Sequence, residues 1–502
     1  MTDPWAALER AEQPSIASLF EADSDRMSQL AVEVCGIRFD FAKTHFHAGL
    51  PEHFAALAEA QDLAGQRDAL FSGGILNPTE GRAVEHTAER GEGAPESVDL
   101  ARGFHARMRT LVDAVEAEAF GPVRHILHVG IGGSALGPEL VIDALGRDSG
   151  RYDSAIVSNV DGAALTEAIR HFDPHATLLM IASKTFTTSE TMLNTASALQ
   201  WMEENGVADP YGRVIAMTAS PERAVEFGID ETRVLPFSES VGGRFSLWSS
   251  IGFPIALALG WTAFEELVEG AASMDRHFRH APLHENVPVL AAFIDRYYAN
   301  IRGCSNRAVF AYDERLRRLP LYLQQLEMES NGKSVRIDGS RVERHTAPVT
   351  WGGVGTDAQH AVFQLLHQGT HVVPVEFVAC IEPGHSLAPD HHHQLLSNCF
   401  AQGAALMAGR QSDDPHRSYP GDRPSTTILL ERLDPATLGA LLAFYEHRVF
   451  ANAVLLGINA FDQFGVELGK EMAKAVDSQS PAEFDPSTRA LIERALGEDQ
   501  SL

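Results

Sequence analysis

Apolar runs of five to eleven residues, each followed by a loop rich in Gly, Ser or Thr or by a segment of helical period, recur along the chain. Strands covered on both faces of a parallel sheet read this way, and the helical segment that follows each is the crossover. Val123 to Val129 leads through GIGGSALG into a helix opened by Pro138. Thr177 to Ala182 leads through SKTFTTSE into MLNTASALQWM, and Arg213 to Ala219 precedes PERAVEF. After a helical stretch from Pro254 to Ile301, the alternation resumes at Ala308 to Tyr312, Pro348 to Gly352, His371 to Ile381 and Ser425 to Leu433. The pattern predicts an α/β fold with two αβα sandwich units, each built on a parallel sheet. Helices in 1–89 pack on the larger unit at 259–445, a smaller unit occupies 90–258, and a helical C-terminal arm covers 446–502. Gly409 to Pro424, rich in charge, Gly and Pro, reads as a surface loop.

Length and charge narrow the function. The chain has 502 residues, 44% hydrophobic and 22% charged, with a formal net charge of −28. This is globular composition with a far field that disfavours nucleic acid and anionic membrane as partners. Only five lysines occur, Lys43, Lys184, Lys333, Lys470 and Lys474; arginine supplies the other cations. Cys35, Cys304, Cys380 and Cys399 are widely spaced, which predicts reduced thiols rather than a disulfide framework or a thiolate zinc site. The longest apolar stretch, Ile251 to Trp261, is too short for a membrane span of about 20 residues and contains Pro254, so it reads as the start of a buried helix. The acidic N-terminal residues resemble neither a secretory signal nor an Arg-rich transit peptide, and a cytoplasmic location is expected.

Two of the strand-to-helix loops carry candidate chemistry. Ser183, Thr185, Thr187, Thr188 and Ser189 crowd hydroxyls at the start of a helix, where backbone N–H groups are also unpaired, and this suits a bound phosphate. Gly130 to Ser134, GIGGS, allows close backbone approach and adds a hydroxyl. It is neither a dinucleotide fingerprint nor a P-loop, so the ligand is a small phosphorylated molecule rather than a nucleotide. Either loop alone is equally a helix cap or a tight turn; two in one unit favour the ligand. The run His391, His392 and His393, and the pair His367 and His371, lack metal-ligand spacing, and Gly369 interrupts any helix joining the pair.

These loops, together with VGGRFSLWSSIGFP (241–254), QQLEMESNGKS (324–334), GGVGTDAQHAVFQLLHQGTH (352–371), LSNCFAQGAALMAGR (396–410) and NAFDQFGVELGK (459–470), resemble the glucose-6-phosphate isomerase family in content and in order. The resemblance implies sugar-isomerase (SIS-type) domains. It also implies reversible interconversion of glucose 6-phosphate and fructose 6-phosphate through ring opening and an enediolate, as in glycolysis and gluconeogenesis, with no cofactor and no metal. By the same resemblance Glu329 is the base that moves a proton between C2 and C1, and Arg244 steadies the enediolate. His360, oriented by Glu190, and Lys470 open the ring, with His360 supplied by the partner in a homodimer. Gly133, Ser134, Ser183, Lys184, Thr185 and Thr188 bind phosphate, Lys184 mainly through its backbone N–H, while Gln325 and Gln463 line the pocket. Gln463, seven residues before Lys470, is expected two helical turns from it. Ser189 stands where the family often has glutamine. Two other functions compete: a non-catalytic sugar-phosphate sensor, which has no use for the four catalytic groups together, and an isomerase that also accepts mannose 6-phosphate.

Overall fold

The apolar runs become strands because each is long enough to cross a sheet and too uniformly apolar to leave a face in water. In the computed structural model, which describes residues 4–147, 151–477 and 484–496, eleven strands form two sheets. The strands are β1 (Ala31–Val34), β2 (Ile37–Asp40), β3 (His125–Gly130), β4 (Asp153–Val157), β5 (Thr177–Ala182), β6 (Val214–Thr218), β7 (Val234–Pro236), β8 (Asn306–Tyr312), β9 (Val349–Val354), β10 (Val375–Cys380) and β11 (Ser425–Leu430).

The first sheet has the order β4-β3-β5-β6-β7 and is parallel throughout. Its direction of growth reverses between β3 and β5, leaving a crevice beyond their carboxyl ends where the two Gly/Ser/Thr-rich loops emerge side by side. The second has the order β1-β2-β11-β10-β8-β9. Strands β8 to β11 are parallel, but β2 runs antiparallel to β11 and carries β1 as a hairpin. The sheet is therefore mixed, and the segment expected to be wholly helical contributes two strands. They are four residues each and turn at Cys35 and Gly36, both at positive φ (54° and 71°). A cysteine in that position hides the turn, since asparagine or aspartate before glycine is the usual signal.

Between β7 and β8 the chain is helical, as the pattern predicted: Phe253–Leu259, Trp261–His280 and Val287–Arg296. The helix Pro435–Leu456 runs without a break through position 446, where the sequence reading begins the C-terminal arm. It starts with a capping box on Asp434, ends at Gly457 in the left-handed region, and every residue from Thr437 to Leu456 is buried. An all-round buried helix has no polar stripe to mark its sides, so periodicity does not place it. Residues up to Ala460 make one compact unit and Phe461–Leu502 another. The second contains the helices Glu467–Asp477 and Pro486–Leu496. No helix among the described residues is long and apolar enough to cross a membrane.

Candidate active site

The turn after β3 is a short 3-10 helix, Gly132–Ser134, leading into the helix Leu136–Leu145. Gly132 lies at φ +57°. A Cβ at Gly133 would come within 2.1 Å of the Gly243 carbonyl oxygen and 2.5 Å of the Arg244 nitrogen. Only glycine lets the turn rest on the segment Gly243–Trp248 backbone to backbone. His128, inside β3 and fully buried, holds the same turn: its Nε2 lies 2.7 Å from the Ser134 carbonyl oxygen. Burial pushes this imidazole down to about 4, against the weaker opposing pull of that hydrogen bond, so it is neutral and donates Nε2–H.

The loop after β5 is shaped by a residue the sequence reading passed over. Phe186 sits at φ +54°, uncommon for a bulky side chain, and its ring is buried edge-on against Phe227 at 5.8 Å. Anchoring the ring in the core holds the backbone turned, with the hydroxyls on the other side. Ser183 and Thr188 hydroxyls lie 3.1 Å apart, and those of Thr185 and Thr187 2.8 Å apart. Lys184 turns its ammonium away, donating to the carbonyls of Glu239 (2.7 Å) and Val241 (3.1 Å). Glu190 occupies the first turn of the helix Ser189–Glu204 and accepts a hydrogen bond from Ser189 Oγ at 2.9 Å.

Opposite these loops stands a π-helical turn, Gln325–Glu329, after the helix Leu319–Gln324. Such turns re-aim side chains at functional sites. Gln325 Nε2 approaches Gly132, within 2.9 Å of where a Cβ would be. Glu329, whose side chain keeps 22% of its exposure, has Oε1 3.7 Å from Arg244 Nη1. Arg244 is itself buried, donating Nε–H to Ser330 Oγ at 2.6 Å and Nη2–H to the Ala460 carbonyl. Gly133, Arg244, Gln325 and Glu329, far apart in sequence, therefore share one small region.

Below the site, both walls are tied to the helix Pro435–Leu456 by buried charge. On the Arg244 side, Trp248 donates Nε1–H to Glu446 at 2.8 Å, and Glu446 also meets Arg90. Arg90 grips both oxygens of Asp275 at 2.7 Å, and His447 lies 2.6 Å from the same carboxylate. On the Glu329 side, Glu327 points the other way along the π-turn, to Arg307 on β8 and to Thr350 Oγ1 (3.2 Å) on β9. Arg307 also reaches Asp295, which takes Arg448 through both oxygens (2.5 and 2.7 Å); Arg448 adds Glu376 at 2.6 Å. Three carboxylates thus face Arg296, Arg307 and Arg448. Burial raises the Asp295 carboxyl, but Arg448 and Arg307 outweigh it and hold it below its usual range. For Glu327 burial outweighs Arg307 and the net direction is upward. Composition and spacing alone do not separate Glu327 from Glu329 by role. The π-turn does, by sending alternate glutamates to opposite sides.

The remaining predicted residues lie on other elements. His360 is exposed on the helix Asp357–Gln368, which ends before His371. Lys470 is exposed on the helix Glu467–Asp477 of the second unit. Gln463 is not two helical turns from it: its φ is −150°, a 3-10 turn Phe464–Val466 follows, and the helix begins only at Glu467. Gly465 and the bulk of the 461–464 segment favour that irregular entry over continued helix. His392 donates Nε2–H to the Ile381 carbonyl at 2.7 Å. Among the described residues no group of three or more His, Cys, Asp or Glu is arranged to hold a metal ion.

Comparison with known proteins gives one family. The model described as phosphoglucose isomerase matches residues 40–492. A glucose-6-phosphate isomerase of Rhizorhabdus wittichii is 71% identical over 98% of this chain and 99% of its own length, and one of Zymomonas mobilis is 62% identical over 98% and 97%. The crystal structure of a glucose-6-phosphate isomerase from Chlamydia trachomatis superposes with a TM-score of 0.90 at 31% identity, covering 98% of both chains. With loops, order of motifs and fold in agreement over nearly its whole length, the chain belongs to the phosphoglucose isomerase family.

Proposed function

We propose that the chain interconverts glucose 6-phosphate and fructose 6-phosphate in the cytoplasm, with Glu329 as the base and Arg244 as the cation facing the enediolate. The observation that carries this reading is the 3.7 Å approach of Glu329 to Arg244 beside the glycine turn and hydroxyl loop. The phosphate is received by Ser134, Ser183, Thr185 and Thr188, with Gly133 keeping that wall close. Lys184, whose ammonium is engaged by carbonyls, serves through its backbone. In this reading the sandwich at 90–258 brings the phosphate loops and the one at 259–445 brings the base.

The chemistry then runs in balanced steps. His360, positioned by Glu190, and Lys470 transfer a proton from the C1 hydroxyl to the ring oxygen, and the C1–O5 bond breaks to give the open aldehyde. Glu329 removes the C2 proton; the electron pair forms the C1–C2 double bond, and the C1 oxygen takes up negative charge beside Arg244. A guanidinium remains charged at any working pH, so it steadies that oxygen without competing for the proton. Glu329 then returns its proton to C1, the hydroxyl proton of C2 passes to the C1 oxygen, and a C2 ketone results. Gln325 and Gln463 bind the sugar hydroxyls. His360 reaches the site from a second copy, so the working form is a homodimer.

A coupled assay on chelator-treated protein should show turnover of fructose 6-phosphate, and folded protein without turnover overturns the reading. Glu329→Gln should lose at least about 1,000-fold in kcat and stop exchanging the C2 proton with solvent, while sugar phosphate still binds. Mixing Glu329→Gln with His360→Ala protomers should restore part of the activity through sites that are intact in the mixed dimer. No recovery rejects the shared site.

A further inference from the structure

The guanidinium of Arg244 has two unequal edges. Nε and Nη2 form one edge that grips carboxylates bidentately, and Nη1 and Nη2 form the other. Here the Nε–Nη2 edge is filled by neutral oxygens, Ser330 Oγ at Nε (2.6 Å) and the Ala460 carbonyl at Nη2, and Nη1 is the nitrogen 3.7 Å from Glu329. With the Nε–Nη2 edge occupied, Glu329 meets the guanidinium from the Nη1 side, at a distance longer than a hydrogen bond. Ser330 is fully buried, directly follows Glu329, and sits on backbone that is fixed from several directions. Lys333 Nζ donates to the Ser330 carbonyl (3.1 Å) and to the Asn459 carbonyl (2.8 Å), next to Ala460, and Asn331 Nδ2 donates to the Val449 carbonyl (3.0 Å) in the buried helix. One lysine thus ties the backbone of Ser330 to that of Asn459, the residue before Ala460.

We infer that Ser330 is a positioning residue for the isomerisation: its hydroxyl occupies the Nε–Nη2 edge of Arg244, keeps that edge from closing on Glu329, and turns the Nη1 side towards the enediolate oxygen. Lys333 and the Ala460 carbonyl complete the brace. This rests on the roles proposed for Glu329 and Arg244. It separates two functions within one short segment: Glu329 acts on the substrate, and Ser330 acts only through Arg244.

The test uses the full-length protein. Ser330→Ala should lower kcat about tenfold, the loss of a hydrogen bond to a charged group, with KM changed less than about twofold. Affinity for a five-carbon aldonate 5-phosphate, whose planar carboxylate imitates the enediolate, should fall by a similar factor, while affinity for sorbitol 6-phosphate, a ground-state polyol, is retained. Ser330→Cys, with a weaker acceptor in the same place, should be intermediate, and it serves in place of the alanine variant if that variant fails to fold. In an Arg244→Lys background, which has no such edge, Ser330→Ala should cost nothing further. Unchanged kcat in both Ser330 variants, equal loss of both inhibitors, or additive effects with Arg244→Lys overturn the inference. Those outcomes leave the Glu329 assignment standing, which falls only if Glu329→Gln remains active.

Discussion

The two walls of the site are held by opposite means. The wall beyond β3 and β5 is built from backbone, hydroxyls and one neutral imidazole, and the lysine in it spends its charge on carbonyls. The wall carrying Glu329 rests on a fully buried lattice of three carboxylates and three guanidiniums. The difference follows from the role proposed for each. A phosphate brings its own charge and needs donors that remain in place at every pH. A base must move a proton, so its support has to be rigid and leave it chargeable, and charges already matched to one another beneath it supply rigidity without an unbalanced field at its carboxylate.

Breaking one wall should therefore cost folding, and breaking the other should cost binding. The largest effect is expected for Arg448→Met, which strands Asp295 and Glu376 without their shared partner. About 3–5 kcal/mol of stability should be lost, read from denaturant midpoints at constant slope. Next is pH. His128 is held at about 4 in the folded state against an ordinary 6.5, so the unfolded chain takes up its proton first. Its contribution is complete above pH 6.5 and falls away as pH drops towards 4, by about 3 kcal/mol in all. His128→Gln, which keeps a donor, should flatten that part of the stability profile. Other imidazoles depressed by burial, His45, His86, His277 and His447, add to the slope and remain in the variant.

Smaller in energy and confined to function is Gly133→Ala. Its methyl group would push apart the glycine turn and the Arg244 segment, and kcat/KM should fall about 100-fold in steady-state assays with the fold retained. Smallest is Thr188→Val, which removes one hydroxyl from the cradle and should raise KM about tenfold with little change in kcat. A stability loss in Thr188→Val matching that of Arg448→Met would erase the contrast between the walls.

How far the sequence could be read follows the same division. Strands β3, β5, β8 and β10 were legible because buried parallel strands are nearly pure apolar runs, and the loops after β3 and β5 because Gly, Ser and Thr crowd there between strand and helix. The hairpin β1–β2 was not, since four-residue strands joined at a Cys-Gly turn fall below what alternation can signal. Phe186 was not, because a phenylalanine in the left-handed region is decided by packing on Phe227 and not by local preference. The partners of Arg244 belong to the same class. Ser330 and Ala460 lie 86 and 216 positions from it, and only the folded chain brings them together.

The late position of the helix Pro435–Leu456 has a consequence for biosynthesis. Trp248, in the same short segment as Arg244, donates to Glu446; Asp295, which pairs with Arg307, also takes Arg448; and Arg244 itself donates to the carbonyl of Ala460. As the chain leaves the ribosome, the first sheet can form from residues up to 236, whereas the reacting groups gain their supports only when nine-tenths of the polypeptide has been made. A nascent or truncated product ending before that helix would carry the base and the cation without the lattice that aligns them, so the cell would acquire this activity in a single late step and not by degrees.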